Sequence, residues 1–317
     1  MERCAIFSCL GLGDGLISLV LSHNLALNGA RTTTFHPFLQ GLQAWFPALP
    51  ISPFPALESL KEELSRFDRF FIMYERSARM KAIQEHCEKF YPEKTTVLNP
   101  IATPKTNYPY WENGRFDGRR PFVDNLYAYA RDVLRLPIVT KGNGIVIPSG
   151  VVPRRELKRV VIHPMSSRPG KNWPAAKFIS LADKLKKSGY QPVFILTSEE
   201  KKEWDLTQMQ APSFSNLSEM ASYVCESGYM IGNDSGIGHL ASCMSLPTLT
   251  ICRSQVASQF WRPAWSYGRV VAPKEWIPNL KGLRLRDQHW KKWVGVRRVC
   301  ANFHHLTQND VQSVHLQ

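Results

Sequence analysis

Short apolar runs alternate with helical stretches along most of the chain, and this alternation constrains the fold more than any other feature. Ala5-Ile6-Phe7 ends in glycines, and from Leu16 onward apolar residues recur at helical spacing. Strands that alternate with helices predict an α/β fold whose parallel sheets are covered on both faces. Further strands of the first series are predicted at 33–35, 70–73 and 96–98.

A second series of the same kind follows a linker at Gly142 to Arg155, which contains two prolines and three glycines. A chain of 317 residues suits two domains, so we predict domains at 1–150 and 151–317. A long irregular loop at 99–122 and a helix at 125–136 are predicted in the first domain. In the second domain we predict strands at 160–163, 193–196, 229–231 and 247–251, and helices around 178–185, at 217–224 and at 236–244.

Composition excludes several classes of protein. The apolar runs are far shorter than the roughly 20 residues that a membrane-spanning helix needs. The start at Met1-Glu2-Arg3-Cys4 lacks the features of a secretory signal. Seven scattered cysteines without a CxxC pair argue against disulfides and structural zinc. We therefore expect a cytoplasmic protein with reduced thiols.

The formal net charge of +14 favours anionic partners such as phosphates, nucleic acid or an anionic membrane face. Part of this charge lies in Trp290-Lys291-Lys292-Trp293. A nucleic-acid surface, a surface that rests on anionic lipid and an ordinary solvated segment all fit this pattern.

The first segment that carries chemistry is Gly11-Leu12-Gly13-Asp14-Gly15, at the predicted junction of a strand and a helix. Glycines there let the backbone turn sharply and approach a ligand closely. The segment does not follow the dinucleotide-binding pattern GxGxxG. Both a tight turn in which Asp14 caps the helix and a catalytic role for Asp14 fit this pattern.

The second and third segments each follow a predicted strand. His163 to Pro174 contains hydroxyls and Lys171, a cation able to meet a diphosphate, while packing and helix initiation explain Trp173 and Pro174. Gly232 to His239 is a glycine-rich turn before a helix, where free backbone N–H groups favour an anion. An N-cap role for Asp234 and a buried position for His239 fit the third segment equally well.

The two segments together resemble the donor-site signatures of the ADP-heptose:lipopolysaccharide heptosyltransferase family, glycosyltransferase family 9. The similarity is carried by Ser166-Ser167-Arg168 with Lys171-Asn172-Trp173-Pro174, and by Asp234-Ser235-Gly236-Ile237-Gly238-His239. Leu12-Gly13-Asp14 resembles the N-terminal turn of that family, and Ser198-Glu199-Glu200 its acidic segment. The resemblance covers nearly all of the second domain and the first thirty or so residues of the first.

The resemblance implies a GT-B fold, in which two doubly wound Rossmann-like domains face each other across a cleft. The N-terminal domain would bind the acceptor and the C-terminal domain the donor, and the last helix, at 306–316, would return to the N-terminal domain. The implied reaction is transfer of heptose from ADP-heptose to a lipid-linked acceptor of the lipopolysaccharide inner core, at the inner membrane. It would proceed with inversion and without a metal or other cofactor.

The resemblance also implies roles for individual residues. Asp14, in the turn that Gly13 and Gly15 form, would be the general base, although Gly15 stands where the family usually has an aliphatic residue. Asp234 would face the donor sugar, and one of Glu199 and Glu200 would bind the ribose. The donor phosphates would contact Ser166, Ser167, Lys171, Ser235, Gly236, Ile237 and His239, with Lys171 also stabilising the leaving group.

Two other functions remain open at this point. A non-catalytic protein with the same nucleotide-sugar pocket is the main alternative to an enzyme. Nucleic-acid binding through the segment around Trp290 is less favoured, and no nucleic-acid partner is expected. Peripheral contact with an anionic membrane face is compatible with the charge.

Overall fold

The computed structural model describes residues 1–99, 116–166, 168–280 and 283–314. The chain divides into two compact units, Met1–Pro148 and Ser149–Gln317. Each unit is an α/β structure built on one five-stranded parallel sheet, so the predicted fold class is confirmed. Most of the predicted loop at 99–122 lies outside the described residues.

The sheet of the first unit has the strand order β3-β2-β1-β4-β5. Its strands are β1 (Arg3–Phe7), β2 (Arg31–Phe35), β3 (Ile51–Ser52), β4 (Arg69–Met73) and β5 (Thr95–Leu98). Its helices are α1 (Leu12–Leu27), α2 (Leu60–Leu64), α3 (Ala78–Phe90) and α4 (Phe122–Ala128), which continues as a π-turn over Tyr129–Val133; 3₁₀ turns span Leu39–Trp45, Leu57–Ser59 and Pro92–Lys94.

Aromatic side chains form much of the core on one face of this sheet. Phe7 and Phe35 lie on paired positions of β1 and β2, and their rings stack with centroids 4.8 Å apart. Phe70 on β4 and Phe67 just before it extend the same cluster. Parallel strands are covered by helices on both faces, so these large apolar side chains are buried.

The sheet of the second unit has the order β10-β9-β8-β6-β7. Its strands are β6 (Glu156–His163), β7 (Gln191–Phe194), β8 (Ser227–Asn233), β9 (Thr248–Ile251) and β10 (Gly268–Val271). Its helices are α5 (Ala175–Lys187), α6 (Ser198–Lys201), α7 (Leu217–Cys225), α8 (Gly236–Cys243), α9 (Gln255–Trp261), α10 (Leu285–Gln288), α11 (Trp290–Trp293) and α12 (Val296–Val314), and a 3₁₀ turn spans Pro169–Lys171.

The last helix, α12, packs within the second unit against α5, β9 and β10. Phe303 is fully buried there, with its ring against Tyr190 and Tyr229. Arg154, in the linker, donates to Asp310 of this helix at 3.0 Å. The helix begins ten residues before the predicted start at 306, and its predicted return toward the first unit stays a prediction.

Some predicted boundaries were wrong for identifiable reasons. The helix predicted from 125 begins at Phe122, directly after Pro121, and helical structure ends at Val133 rather than 136. Arg135 has a left-handed φ of 52°, which is incompatible with further helix. Strands β3 and β10 were not predicted, because one has two residues and the other is mostly half-buried.

The described residues contain no helix that is both long and apolar enough to cross a membrane. All seven cysteines are free thiols, as the sequence predicts.

Candidate active site

The strand order of the second unit reverses between β6 and β8, whose following loops contain the second and third sequence segments. In open α/β sheets, ligands bind outside the carboxyl ends of the strands at such a switch point. Gly232 lets the two strands approach, since a Cβ there would lie 2.5 Å from the backbone oxygen of His163. The fold therefore brings together two segments that are about sixty residues apart.

Lys171 reaches across this switch point. It ends the 3₁₀ turn after β6, and its Nζ lies 3.0 Å from Oδ2 of Asp234. The side chains of Lys171 and Asp234 are 43% and 21% exposed, so the pair remains accessible to a ligand. The ion pair directs the lysine toward the turn that begins α8, as the sequence interpretation requires.

Asn233, the last residue of β8, fixes the loop that carries Lys171. Its buried side chain accepts a hydrogen bond from the backbone N–H of Trp173 at 3.1 Å and donates to the carbonyl of Pro164. One side chain thus holds both ends of the loop. The sequence interpretation missed this role, although an Asn directly before Asp234 at the end of a buried strand was a visible signal.

The Lys171 loop is also braced by the segment around α11. The indole of Trp173 is buried and donates to the carbonyl of Val294 at 2.9 Å, and the indole of Trp290 donates to Gly170 at 3.2 Å. Lys177 donates to the same Val294 carbonyl at 3.0 Å. Packing therefore explains Trp173, as predicted, and it also explains Trp290, whereas Trp293 is 44% exposed.

Ser166 helps to shape the loop from inside. Its Oγ lies 2.7 Å from Oδ1 of Asn172 and 3.0 Å from the carbonyl oxygen of Arg168. Ser167, the other predicted phosphate contact of this loop, lies outside the described residues.

The start of α8 offers unused polar groups. Ser235 is the N-cap residue and makes no side-chain cap, so the N-cap role considered for Asp234 was wrong. The first backbone N–H groups of the helix, including those of Gly236 and Ile237, have no acceptor within the helix. Among the described residues, the buried Oγ of Ser235 has no hydrogen-bond partner. This arrangement suits an anion, which the helix dipole also favours.

His239 lies one turn into the same helix and is buried, as one sequence interpretation held. Burial lowers the pKa of His239, so its imidazole is neutral at neutral pH. Its Nδ1 is buried without a hydrogen-bond partner in the described part of the chain. The ring contacts the edge of Trp265 with centroids 6.1 Å apart.

The acidic segment follows β7, which pairs with β6. Glu200 forms a capping box with Thr197: its carboxylate accepts the backbone N–H of Thr197 at 2.8 Å. Glu199 instead forms an exposed pair with Lys202 at 2.7 Å, and its side chain is 81% exposed. The two glutamates thus differ in how firmly their carboxylates are engaged.

The first unit has its own switch point, between β1 and β4. Gly11 is the N-cap residue of α1, which begins at Leu12. Asp14 is therefore the third residue of the helix and not its cap. A Cβ on Gly11 would lie 2.5 Å from Oδ2 of Asp14, so the carboxylate folds back over this glycine. Gly13, in the same turn, is buried.

His36, at the end of β2, holds this turn in place, and the sequence interpretation missed it. Its Nδ1 accepts the backbone N–H of Leu39 at 3.0 Å, so its Nε2 carries the proton and donates to the carbonyl of Gly11 at 3.1 Å. Burial lowers the pKa of His36 to about 4. A Cβ on Gly15 would lie 2.8 Å from Cδ2 of His36, which explains the glycine at a position where the related family has an aliphatic residue.

Glu75 is a second carboxylate at this switch point and was also missed. It follows β4, and its Oε2 accepts the backbone N–H of Leu10 at 2.9 Å. Burial raises the pKa of Glu75. Together with burial, the carboxylates of Asp14 and Glu75 raise the pKa of the Cys9 thiol, which places both acids near one point.

The chain thus has two doubly wound units, with a lysine and an open helix start at one switch point and two carboxylates at the other. Two doubly wound units in one chain fit the GT-B fold that the resemblance implies. Residues 148–279 match the family model of glycosyltransferase family 9 (heptosyltransferase). This match confirms the resemblance to that family of glycosyltransferases.

Solved structures share the fold over nearly the whole chain. The glycosyl transferase family 9 protein of Veillonella parvula is 16% identical, with a TM-score of 0.70 over 97% of this chain and 98% of that one. The ADP-heptose lps heptosyltransferase II of E. coli is 16% identical, with a TM-score of 0.67 over 98% and 99%.

A third similar structure is the dodecameric, iron-containing heptosyltransferase TibC of enterotoxigenic E. coli, in complex with ADP-D-beta-D-heptose. It is 15% identical, with a TM-score of 0.58 over 97% of this chain and 76% of that one. No curated protein sequence matches the chain. The described residues of this chain contain no group of three or more His, Cys, Asp or Glu side chains that suits a metal ion.

Proposed function

We propose that this glycosyltransferase moves heptose from ADP-heptose to a lipid-linked acceptor of the lipopolysaccharide inner core. The observation that carries the proposal is the position of Lys171, 3.0 Å from Asp234 and directed at the open start of α8. A cation and a helix N-terminus that converge at a sheet switch point suit a diphosphate. The bound ligands named for the similar structures support ADP-heptose as the donor.

Donor binding would replace one ionic partner of Lys171 by another. In the free protein Asp234 balances Lys171; with donor bound, the lysine would contact the diphosphate and Asp234 would turn to the sugar. Ser235, Gly236 and Ile237 would donate to phosphate oxygens. Ser235 and His239 each have a buried polar atom without a partner in the described chain, and a ligand would satisfy them. Ser166 and Ser167 would complete the loop side.

We assign the ribose to Glu199 rather than Glu200. The exposed pair between Glu199 and Lys202 is of a kind that contributes little free energy, so the carboxylate is free to exchange partners. The carboxylate of Glu200 is needed by the backbone of Thr197, and its loss would cost the capping box that starts α6.

Asp14 would be the general base. As the acceptor oxygen attacks the anomeric carbon, a C–O bond forms, the bond from that carbon to the diphosphate oxygen breaks, and the acceptor proton passes to the Asp14 carboxylate. ADP leaves with the electron pair of the broken bond, so the configuration inverts. Lys171 and the start of α8 stabilise the charge that grows on the leaving phosphate, more in the transition state than in the ground state.

The proposal is tested by following ADP release from ADP-heptose in the presence and absence of an inner-core lipid acceptor. Release that depends on the acceptor and persists after treatment with a chelator is expected. Loss of release on chelation would contradict the metal-independent step. ADP that raises the melting temperature without any acceptor-dependent release would indicate a non-catalytic binding protein.

The acceptor implies a location. A lipid-linked saccharide at the cytoplasmic face of the inner membrane would require a cytoplasmic enzyme in peripheral contact with that membrane. The net charge of +14 supports contact with an anionic surface.

A further inference from the structure

Exposed apolar side chains are concentrated in one stretch of the second unit. Fifteen large hydrophobic residues are exposed among those that the structure describes, and four of them fall between residues 276 and 293. They are Trp276, Leu280, Leu283 and Trp293, with exposed fractions of 74%, 71%, 49% and 44%. We call the surface formed by the described residues of 274–298 the Trp276 surface.

The backbone of this surface is well held. Leu280 and Leu283 form an isolated antiparallel bridge, with N–H to carbonyl distances of 3.1 and 3.0 Å. Arg286 ties the bridge to the preceding segment, since its backbone N–H donates to Pro278 and its guanidinium to the carbonyl of Glu275. The apolar side chains are therefore presented to solvent by a hydrogen-bonded scaffold.

The inner side of the same stretch is packed against the unit. Ile277 is 5% exposed, and Trp290 and Val294 belong to the hydrophobic core of the second unit. The exposed residues thus lie on the outer side of an anchored element. Burial of large apolar side chains is favourable, so several of them held in water on a hydrogen-bonded backbone indicate an interaction site.

Charge identifies the partner. Between residues 274 and 298 the sequence has eight Lys or Arg and only two Asp or Glu. Exposed cations on this stretch are Lys274, Arg284, Lys292 and Arg297. Protein–protein interface cores are depleted of lysine, whereas Trp and Leu flanked by Lys and Arg are typical of elements that enter the headgroup region of a bilayer.

We infer that the Trp276 surface binds an anionic phospholipid bilayer. Trp276, Leu280 and Leu283 enter the headgroup region, and the surrounding cations contact lipid phosphates. The inference deepens the proposed function, because it names the part of the chain that meets the membrane carrying the acceptor. It does not depend on the donor site.

The test is sedimentation of the full chain with vesicles of phosphatidylcholine alone or mixed with phosphatidylglycerol, without nucleotide or acceptor. Binding to the mixed vesicles is expected, with a marked decrease at high salt. The double variant Trp276→Ser/Leu280→Ser should bind at least about tenfold more weakly, because its apolar contact is lost. Leu157→Ser/Phe90→Ser, which removes two exposed apolar side chains elsewhere, is the matched control and should bind normally.

Charge is tested in the same assay. Lys274→Glu/Lys292→Glu should weaken binding by about fivefold or more for each cation. Lys184→Glu/Lys187→Glu, at exposed positions on α5, makes the same change in net charge and should have a smaller effect. Thermal melts of every variant check folding.

Equal loss of binding in test and control variants would overturn the inference, because the attraction would then come from net charge alone. No vesicle binding by the wild-type chain would also overturn it. The inference would also fail if the wild-type chain self-associates without binding vesicles and Trp276→Ser/Leu280→Ser abolishes that self-association. The surface would then join two copies of the protein. A separate measurement of ADP binding by the wild-type chain shows whether the proposed donor site fails as well as the membrane inference.

Discussion

The two units place opposite chemistry at equivalent positions. In each unit, the chain continues from two neighbouring strands toward opposite edges of the sheet. One side chain links the loops that follow those two strands. In the second unit the link is the ion pair of Lys171 with Asp234; in the first it is Glu75 accepting the backbone N–H of Leu10. The same fold thus holds a cation and a helix start in one unit and two carboxylates in the other.

The difference follows the division of labour in the proposed reaction. A departing diphosphate needs positive charge, while an attacking hydroxyl needs a proton acceptor. Lys and Arg outnumber Asp and Glu by 23 to 12 in the second unit, against 17 to 14 in the first. The electrostatic difference therefore extends beyond the two sites to the whole units.

The largest expected effect comes from the first unit. Asp14→Asn removes the proposed base but keeps a side chain of the same size, so turnover should fall by about 10²- to 10⁴-fold. ADP affinity should stay nearly unchanged, because the proposed donor groups lie on the second unit. Acceptor-dependent ADP release and calorimetric titration with ADP measure the two quantities.

Glu75→Gln is the matched variant, since the amide oxygen can still accept the N–H of Leu10. We expect turnover within a few-fold of wild type. If Glu75→Gln is inactive while Asp14→Asn turns over normally, the two carboxylates have been assigned the wrong way round.

The second effect sharpens the comparison from the donor side. Lys171→Ala should weaken ADP binding by about tenfold to a hundredfold, the range expected when one hydrogen bond to a charged group is lost. Lys184→Ala, an exposed lysine on α5, is the control and should bind ADP normally. Unchanged ADP affinity in Lys171→Ala would remove the central support for a diphosphate site.

Sequence reasoning predicted the second unit better than the first, for a physical reason. The proposed donor groups lie in contiguous segments directly after buried strands, so the apolar runs locate both the sheet and the candidate site. The ion pair of Lys171 with Asp234 and the open start of α8 follow from those positions. Ser167 and most of the loop at 99–122 lie outside the described residues, so their predicted roles stay predictions.

The first unit depends on contacts that sequence spacing does not encode. His36 and Glu75 meet the Asp14 turn only because β2 and β4 both lie beside β1. Neither residue belongs to a motif. Gly15 is explained by the imidazole of His36, which leaves no room for a Cβ at that position. In the second unit, the charged residues beside Trp290 in the sequence favoured a surface position for it. The structure instead buries its indole, which donates to the carbonyl of Gly170.

The next effect is on the free energy of unfolding and comes from His36 in the first unit. Unfolded His36 gains a proton below pH 6.5, whereas the folded residue resists protonation until about pH 4. Acidification therefore favours the unfolded chain, and this contribution to stability, complete above pH 6.5, is lost as the pH falls toward 4. The loss at pH 5 is about 2 kcal/mol.

Thermal unfolding of the wild-type chain and His36→Gln at pH 7 and pH 5 checks this. The variant should be less stable at pH 7 but should lose less stability on acidification than the wild type. His304→Gln, at an exposed position on α12, should lose as much as the wild type. An identical loss in wild type and His36→Gln would show that the imidazole is not held neutral.

The smallest effect separates two adjacent residues of the donor side. Glu199→Gln should weaken ADP binding by about fivefold, the value of one ordinary hydrogen bond, and should leave the melting temperature unchanged because its pair with Lys202 is exposed. Glu200→Gln should change neither quantity, since Gln also completes a capping box with Thr197. Titration with ADP decides between them: weaker binding only in Glu200→Gln would assign the ribose to Glu200. In that case the carboxylate of Glu200 would both complete the capping box of α6 and bind the nucleoside.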